Sequence, residues 1–158
     1  MKQAITGVTP SSLAEVTVMM TWPSMGASAF GQMLGRLYAI PLFGKLIALA
    51  AIPQALLLYA LNLLPWSCLR YRLTNRRLVV ERGLRGTLDR EVSLDNFDAI
   101  ELEVLPGQEW YRCGNLIFYK GKIETFRITG VPSPQSFRQT CLKTQRGYVG
   151  AKKYATVK

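Results

Sequence analysis

Residues 71–86 of this chain of 158 residues are YRLTNRRLVVERGLRG, and they indicate the fold class more directly than any other stretch. Short runs of β-branched, aromatic and other apolar residues flank the turn residues Thr74-Asn75, and a second turn follows at residues 82–86. Runs of this kind, separated by turn residues at short intervals, are typical of antiparallel strands. The stretch therefore predicts two consecutive β-hairpins.

The same pattern continues beyond residue 86. Further strand-like runs occupy residues 88–94, 99–105, 110–120 and 123–128. Residues 135–146 have helical spacing instead, with Ser133 as a cap and Pro134 at the first helical position. We therefore predict a mainly-β domain over residues 67–146, a small barrel or two-sheet sandwich with about seven antiparallel strands and one C-terminal helix.

A long uncharged segment precedes the hairpins. Between Lys45 and Arg70 lie 24 residues without a charge. A helix over residues 46–66 would be roughly 30 Å long, about the thickness of the hydrocarbon core of a bilayer. Pro53 is compatible with a kinked membrane helix, and Trp66 suits the interface at its end. The segment predicts a transmembrane helix over residues 46–66, within a membrane segment at residues 24–66.

Residues 24–40 predict an amphipathic helix, and residues 1–23 before it contain a short strand at 15–22. The polar side chains recur every four residues, as Ser24, Ser28, Gln32 and Arg36. The small residues do the same, as Ala27, Gly31, Gly35 and Ala39. Such a ridge predicts a face on which another helix packs in lipid. Two arrangements stay open, an in-plane interfacial helix or the first leg of a membrane hairpin.

The positive charge follows the apolar segment. The chain carries a net charge of +10, and six arginines lie within about 20 residues of the predicted membrane helix, the range in which basic residues set orientation. They are Arg70, Arg72, Arg76, Arg77, Arg82 and Arg85. We expect them to contact anionic lipid headgroups, which attract each with about 1 kcal/mol, or to form a generic solvating cluster. They place the C-terminal domain on the cytoplasmic side of the inner membrane, and three cysteines without a close pair fit that reducing compartment.

Residues 147–158 form a basic C-terminal tail without a helical period, which by itself should be unstructured. We expect its basic and aromatic residues to dock a partner, with Arg146, Tyr148, Lys152, Lys153 and Tyr154 as the docking set.

Residues for catalysis are largely absent. The chain has no histidine, which excludes metal-imidazole sites and the dyads that pair histidine with serine or cysteine. Acidic residues cluster at residues 89–103, and we interpret them as a solvated face near arginines rather than a cation site. No glycine-rich phosphate loop follows a strand. We therefore expect no enzyme, no cofactor and no metal.

Three stretches together resemble the bacterial pleckstrin-homology (PH) family. They are residues 71–86, REVSLDNFDAIELEV at residues 90–104 and NLIFYKGKIETFRITGVPSPQSFRQTC at residues 115–141. The TNRR and GVPSP elements carry most of the resemblance. It implies a membrane-anchored PH-like barrel at the cytoplasmic face, with membrane helices before the barrel, and it indicates fold far better than function.

The first expected function is a non-enzymatic, membrane-anchored accessory or scaffold subunit that packs on a membrane-protein complex at its cytoplasmic face. The alternative is a module that binds or senses anionic lipid headgroups. Nucleic-acid binding comes third, because neither an aromatic-interleaved strand motif nor a recognition helix accompanies the basic charge. The expected partners are membrane lipids and other membrane-protein subunits, with no nucleic acid and no small-molecule substrate.

Overall fold

The computed structural model describes residues 15–41, 43–62, 68–83 and 85–156. Within these residues the strands are β1 (Thr17–Thr21), β2 (Leu69–Thr74), β3 (Arg77–Arg82), β4 (Thr87–Ser93), β5 (Ala99–Glu103), β6 (Cys113–Lys120) and β7 (Ile123–Pro132). The helices are α1 (Ala29–Tyr38), α2 (Gly44–Ala50), α3 (Ile52–Asn62) and α4 (Pro134–Thr156), with a 3-10 turn at Met25–Ala27.

The strands form two antiparallel sheets, in the orders β1-β2-β3-β4 and β5-β6-β7. The predicted hairpins lie at β2–β3 and β3–β4. Thr74 closes the first turn, because its hydroxyl donates to the Arg77 carbonyl (2.8 Å) and accepts from the Arg77 N–H (3.0 Å). Gly83 and Gly86 adopt positive φ in the second turn, a conformation that favours glycine.

The core lies between the two sheets and under α4. Phe118 is fully buried and makes edge contacts with Phe97 and Phe126, at 5.0 and 6.0 Å between ring centroids. Phe137 and Cys141 bring α4 onto this cluster. The expected mainly-β PH-like fold with one C-terminal helix is therefore present.

Helix α4 continues through the tail that was predicted to be unstructured by itself. Two contacts with the β domain account for the difference. Tyr148 packs against the core, and Lys152 Nζ lies 2.6 Å from Asp95 Oδ2. The tail is thereby held on its own domain as far as Lys152, and α4 ends at Thr156.

The predicted transmembrane helix over residues 46–66 is wrong. Within residues 15–41, 43–62, 68–83 and 85–156, no helix is both long enough and apolar enough to cross a membrane. The apolar run forms α2 and α3, separated at Ala51, which leaves helical geometry at ψ 3°. The break comes two residues before Pro53, whose missing N–H and ring disfavour a continuous helix there. Residues 63–66 of that prediction lie outside the described residues.

The 3-10 turn and helices α1–α3, here called the helical arm, are inserted between two paired strands. Thr21 at the end of β1 lies opposite Tyr71 in β2, so the arm leaves and rejoins the domain at one place. At the base of the arm, Ser24 N–H donates to the Gly130 carbonyl (2.7 Å) and joins the start of the arm to β7.

Of the four small residues predicted to form a helix-packing ridge, Gly35 of α1 and Ala27 of the 3-10 turn lie against the β domain. A Cβ added to Gly35 would lie 2.1 Å from the Gly107 carbonyl oxygen, and one added to Gly130 would lie 2.4 Å from Ala27. Gly31 lies against the Met25 carbonyl of the preceding 3-10 turn, whereas Ala39 is exposed. Only residues without bulk allow this backbone approach.

A buried polar network fixes the arm base. Gln108 is fully buried, and its Nε2 donates to the Gly26 carbonyl (3.0 Å) and to Asn115 Oδ1 (2.9 Å). Its Oε1 accepts the Leu105 N–H at 2.9 Å, and Asn115 Oδ1 also accepts the Gly130 N–H at 3.1 Å. The network therefore connects the arm, the β5–β6 loop, β6 and β7.

Gly35→Ala should destabilise the chain by about 2 kcal/mol, because the added methyl meets backbone that cannot move freely. The measurement is the free energy of unfolding in urea. Gly147→Ala is the matched control: nothing lies within 4 Å of the added Cβ in α4, so helix propensity should make this variant more stable by up to about 1 kcal/mol. Equal effects at both glycines would contradict the docking of α1.

Candidate functional site

The face of α1 opposite the β domain is apolar and exposed. Successive helical residues turn by roughly 100°, which points Phe30, Met33 and Leu37 away from the packed residues Gly31 and Gly35. Helices α2 and α3 extend this surface with side chains that reach 70% exposure at Leu56. The apolar arm surface consists of Phe30, Met33, Leu37, Ile40, Phe43, Leu46, Leu49, Ile52, Leu56, Leu57 and Tyr59. Patches of this kind mark binding surfaces.

The charges on the arm are all positive. Arg36 and Lys45 are the charged residues between Met25 and Asn62, and no acidic residue lies between Glu15 and Glu81. Lys45 is exposed at the start of α2. Arg36 reaches back to the β domain, where its Nε donates to the Pro106 carbonyl at 3.1 Å. The arm therefore combines an apolar surface with cations at its edge.

Two of the six arginines expected at lipid headgroups share one buried carboxylate. Glu81, which is 7% exposed, lies 3.0 Å from Arg70 Nε and 2.5 Å from Arg72 Nη2. These three residues belong to the adjacent strands β2 and β3. One negative charge thus holds two guanidinium groups on the outer face of the four-stranded sheet.

Arg77 and Arg82 are also paired. Arg77 binds Glu15 through two hydrogen bonds, at 2.8 and 2.7 Å, and also contacts Glu91 at 2.6 Å. Arg82 Nε lies 3.6 Å from Asp89. Arg76 and Arg85 are exposed at the two turns. Seven arginines lie within residues 70–91, and the carboxylates paired with them are Glu15, Glu81, Asp89 and Glu91. The four-stranded sheet and its turns are therefore basic, and five of these seven arginines are held in ion pairs.

The residues of the predicted docking tail lie along α4. Lys152 binds Asp95, and this contact lowers the pKa of the Asp95 carboxyl to about 2. Tyr148 is half-buried against the core, while Arg146 and Lys153 are exposed. The side chain of Tyr154 lies outside the described residues. The tail and the apolar arm surface belong to separate elements of the fold.

The arm base contains residues that sequence reasoning missed. The sequence pattern began a strand at residue 110, whereas β6 begins at Cys113, and the loop before it carries Gln108 and the exposed Trp110. The ring of Trp110 contacts the ring of Tyr38 in α1, with 5.8 Å between ring centroids and 58° between the ring planes. The sequence showed a tryptophan close to a glycine turn, but it could not show that this tryptophan contacts Tyr38, which lies 72 residues earlier in the chain.

Metal-ligating clusters and cysteine thiols are the groups that could make the described residues reactive. Within that part of the chain, no three residues among His, Cys, Asp and Glu are placed to hold a metal ion. Burial raises the pKa of the Cys141 thiol to about 12 and raises that of Cys113 as well. Both thiols therefore stay protonated near neutral pH and are weak nucleophiles.

Protonation of the Glu15 carboxyl should lower the stability of the fold in acid. Its hydrogen bonds with Arg77 lower the pKa of the Glu15 carboxyl from 4.5 to about 2. A lowered native pKa contributes stability that is present above pH 4.5 and lost as the pH falls toward 2. Between about pH 5 and pH 3, the fall in melting temperature should be smaller in Glu15→Gln than in wild type.

Glu109→Gln is the control for this pH experiment, because Glu109 is exposed in the β5–β6 loop. It should keep the wild-type fall in melting temperature. The same acid sensitivity in Glu15→Gln as in wild type would contradict the role of this pair.

Comparison with known proteins agrees with this geometry. The sequence model of the family described as "Bacterial PH domain" matches residues 17–145. The match begins at β1, includes the helical arm and ends within α4. No curated protein matches the chain, and no solved structure matches it. Membership of this family supports a lipid- or protein-binding module in general. The two sheets, the closing helix and a match over most of the sequence show that the chain belongs to the bacterial PH domain family.

Proposed function

We propose that this chain is a non-enzymatic PH module that binds the surface of an anionic membrane through the apolar arm surface. The observation that carries the proposal is the exposure of eleven large apolar side chains on described residues 30–59, with Arg36 and Lys45 as the charges among them. Water is a poor environment for this surface, whereas the boundary between headgroups and acyl chains suits it.

The energies involved are sufficient for reversible membrane binding. Full burial of one large aliphatic side chain contributes about 1.5–3 kcal/mol. Partial burial of most of the eleven side chains therefore contributes on the order of 10 kcal/mol, which is comparable with the ~4–15 kcal/mol cost of lost translational and rotational freedom. Each cation near an anionic leaflet adds about 1 kcal/mol. Affinity should thus come mainly from apolar contacts, with a smaller contribution that depends on salt.

The geometry of α1 supports an in-plane orientation. Its small face packs on the β domain at Gly35, and its apolar face, which includes Met33 and Leu37, points the opposite way. A helix in the plane of a membrane interface has this division, with the apolar side toward lipid. The β domain would then lie on the water side of α1. The free thiols Cys68, Cys113 and Cys141 support the cytoplasmic side, which is reducing.

An accessory-subunit role, the first function expected from the sequence, would use the same surface. The observation that favours it is α3, where Ile52, Leu56 and Tyr59 share one exposed face and Leu57, also exposed, lies about 100° from Leu56. An apolar partner protein could cover such a helix on more sides than an in-plane helix buries. We rank the lipid surface first because the cations on the arm match anionic headgroups.

Vesicle flotation tests the proposal. The full chain should float with vesicles of phosphatidylglycerol and phosphatidylcholine, and less with phosphatidylcholine alone. The double variant Leu49→Glu/Leu56→Glu should lose at least about tenfold in affinity, because two exposed apolar contacts become anionic. Ile123→Glu is the control, since Ile123 is 72% exposed at the β6–β7 turn, away from the arm, and it should bind as the wild type does.

Failure of the wild-type chain to bind anionic vesicles would overturn the lipid proposal. Equal binding by the double variant would overturn the role of the arm. If the wild type does not float but co-purifies in mild detergent with a stoichiometric protein that the double variant loses, the accessory-subunit role is supported instead.

A further inference from the structure

The β5–β6 loop carries an exposed tryptophan next to α1. Trp110 is 46% exposed, and its ring contacts Tyr38, which is 7% exposed in the last turn of α1. A half-exposed tryptophan in contact with a buried tyrosine suits the membrane interface, where both residue types are enriched.

The loop and α1 are joined at several points and form one unit. Arg36 Nε donates to the Pro106 carbonyl at 3.1 Å. A Cβ added to Gly107 would lie 2.0 Å from the Gln32 carbonyl oxygen, so the two backbones are in direct contact. Gln108 ties the same loop to Gly26. Trp110 therefore has a fixed position relative to the apolar face of α1.

The position of Trp110 relative to α1 determines how deep its ring would lie in the membrane. Tyr38 shares the side of α1 that is turned to the β domain, whereas Met33 and Leu37 point away from it. The apolar face of an interfacial helix lies about 5–10 Å into the boundary between headgroups and acyl chains, and a helix is about 10 Å across. A ring beside Tyr38 would then stand among the headgroups.

The charged residues beside Trp110 cancel each other, so they add no net attraction to an anionic membrane. Glu109 and Arg112 flank it, both are exposed, and they carry opposite charges. The loop from Leu105 to Arg112 has no net charge. Attraction of this loop to an anionic surface would come from the ring rather than from its charge.

We infer that Trp110, in contact with Tyr38, inserts into the headgroup layer and fixes the depth and orientation of the β domain on the membrane. The inference rests on the proposed function and adds a second contact to the arm. The arm supplies most of the affinity, and Trp110 prevents α1 and the β domain from rolling together on the membrane about the axis of α1.

Fluorescence of a single tryptophan tests the inference in the full chain. In the variant Trp22→Phe/Trp66→Phe, Trp110 is the remaining tryptophan. On binding vesicles of phosphatidylglycerol and phosphatidylcholine, its emission should shift to the blue, and lipids brominated near the top of the acyl chain should quench it. The control adds Trp110→Phe and Ile123→Trp, because β6 separates Ile123 from the loop by about 25 Å. The tryptophan at position 123 should stay unquenched.

A bound chain in which Trp110 is neither shifted nor quenched would overturn the inference and leave the proposed function intact. Absence of vesicle binding, measured by flotation, would overturn the proposed function and the inference with it. The variant Trp110→Ala gives a second test. It should bind the vesicles about tenfold more weakly, while its circular dichroism spectrum stays that of the wild type. Trp110→Phe should lose less, and undiminished vesicle affinity in Trp110→Ala would count against the inference.

Discussion

The buried amide of Gln108 is the contact on which the rest of the structure depends. It joins the Gly26 carbonyl of the arm to Asn115 of β6, and it closes its own loop at Leu105. A buried polar group without partners would cost about 1–3 kcal/mol, so this arrangement strongly favours the docked arm. Once Gly26 is held there, the small face of α1 must lie on the β domain. The apolar face is then left outward, and the functional surface follows from that single constraint.

Local patterns predicted the β domain well and the helical arm poorly. The Thr74 turn, the strands after it and the first half of α4 arise from neighbours in sequence, and their residue types indicate them directly. The second half of α4 was not predicted, because the Lys152–Asp95 contact that holds it joins residues 57 positions apart. Hydropathy over residues 46–66 indicates an apolar environment, but it does not register the helix break before Pro53. The arm base could not be predicted from local pattern, because Gln108 and its Gly26 partner are 82 residues apart.

The arginines illustrate the same limit for the candidate site. The sequence shows six basic residues after an apolar segment, which predicts a surface for anionic headgroups. It does not show that Glu15 reaches Arg77 across 62 positions, or that Glu81 is buried between Arg70 and Arg72. With these carboxylates in place, much of the arginine charge is balanced within the sheet. The apolar side chains of the arm therefore become the main source of binding energy in our account.

Amide hydrogen exchange of the full chain, with and without phosphatidylglycerol-containing vesicles, tests the central claim most directly. If the chain binds through the apolar arm surface and Trp110, vesicles should slow exchange in α1–α3 and in the loop at residues 105–112, while exchange in β4 stays unchanged. Slowed exchange confined to β2–β4, with the arm unaffected, would contradict it, because binding would then use the basic sheet face rather than the apolar arm surface.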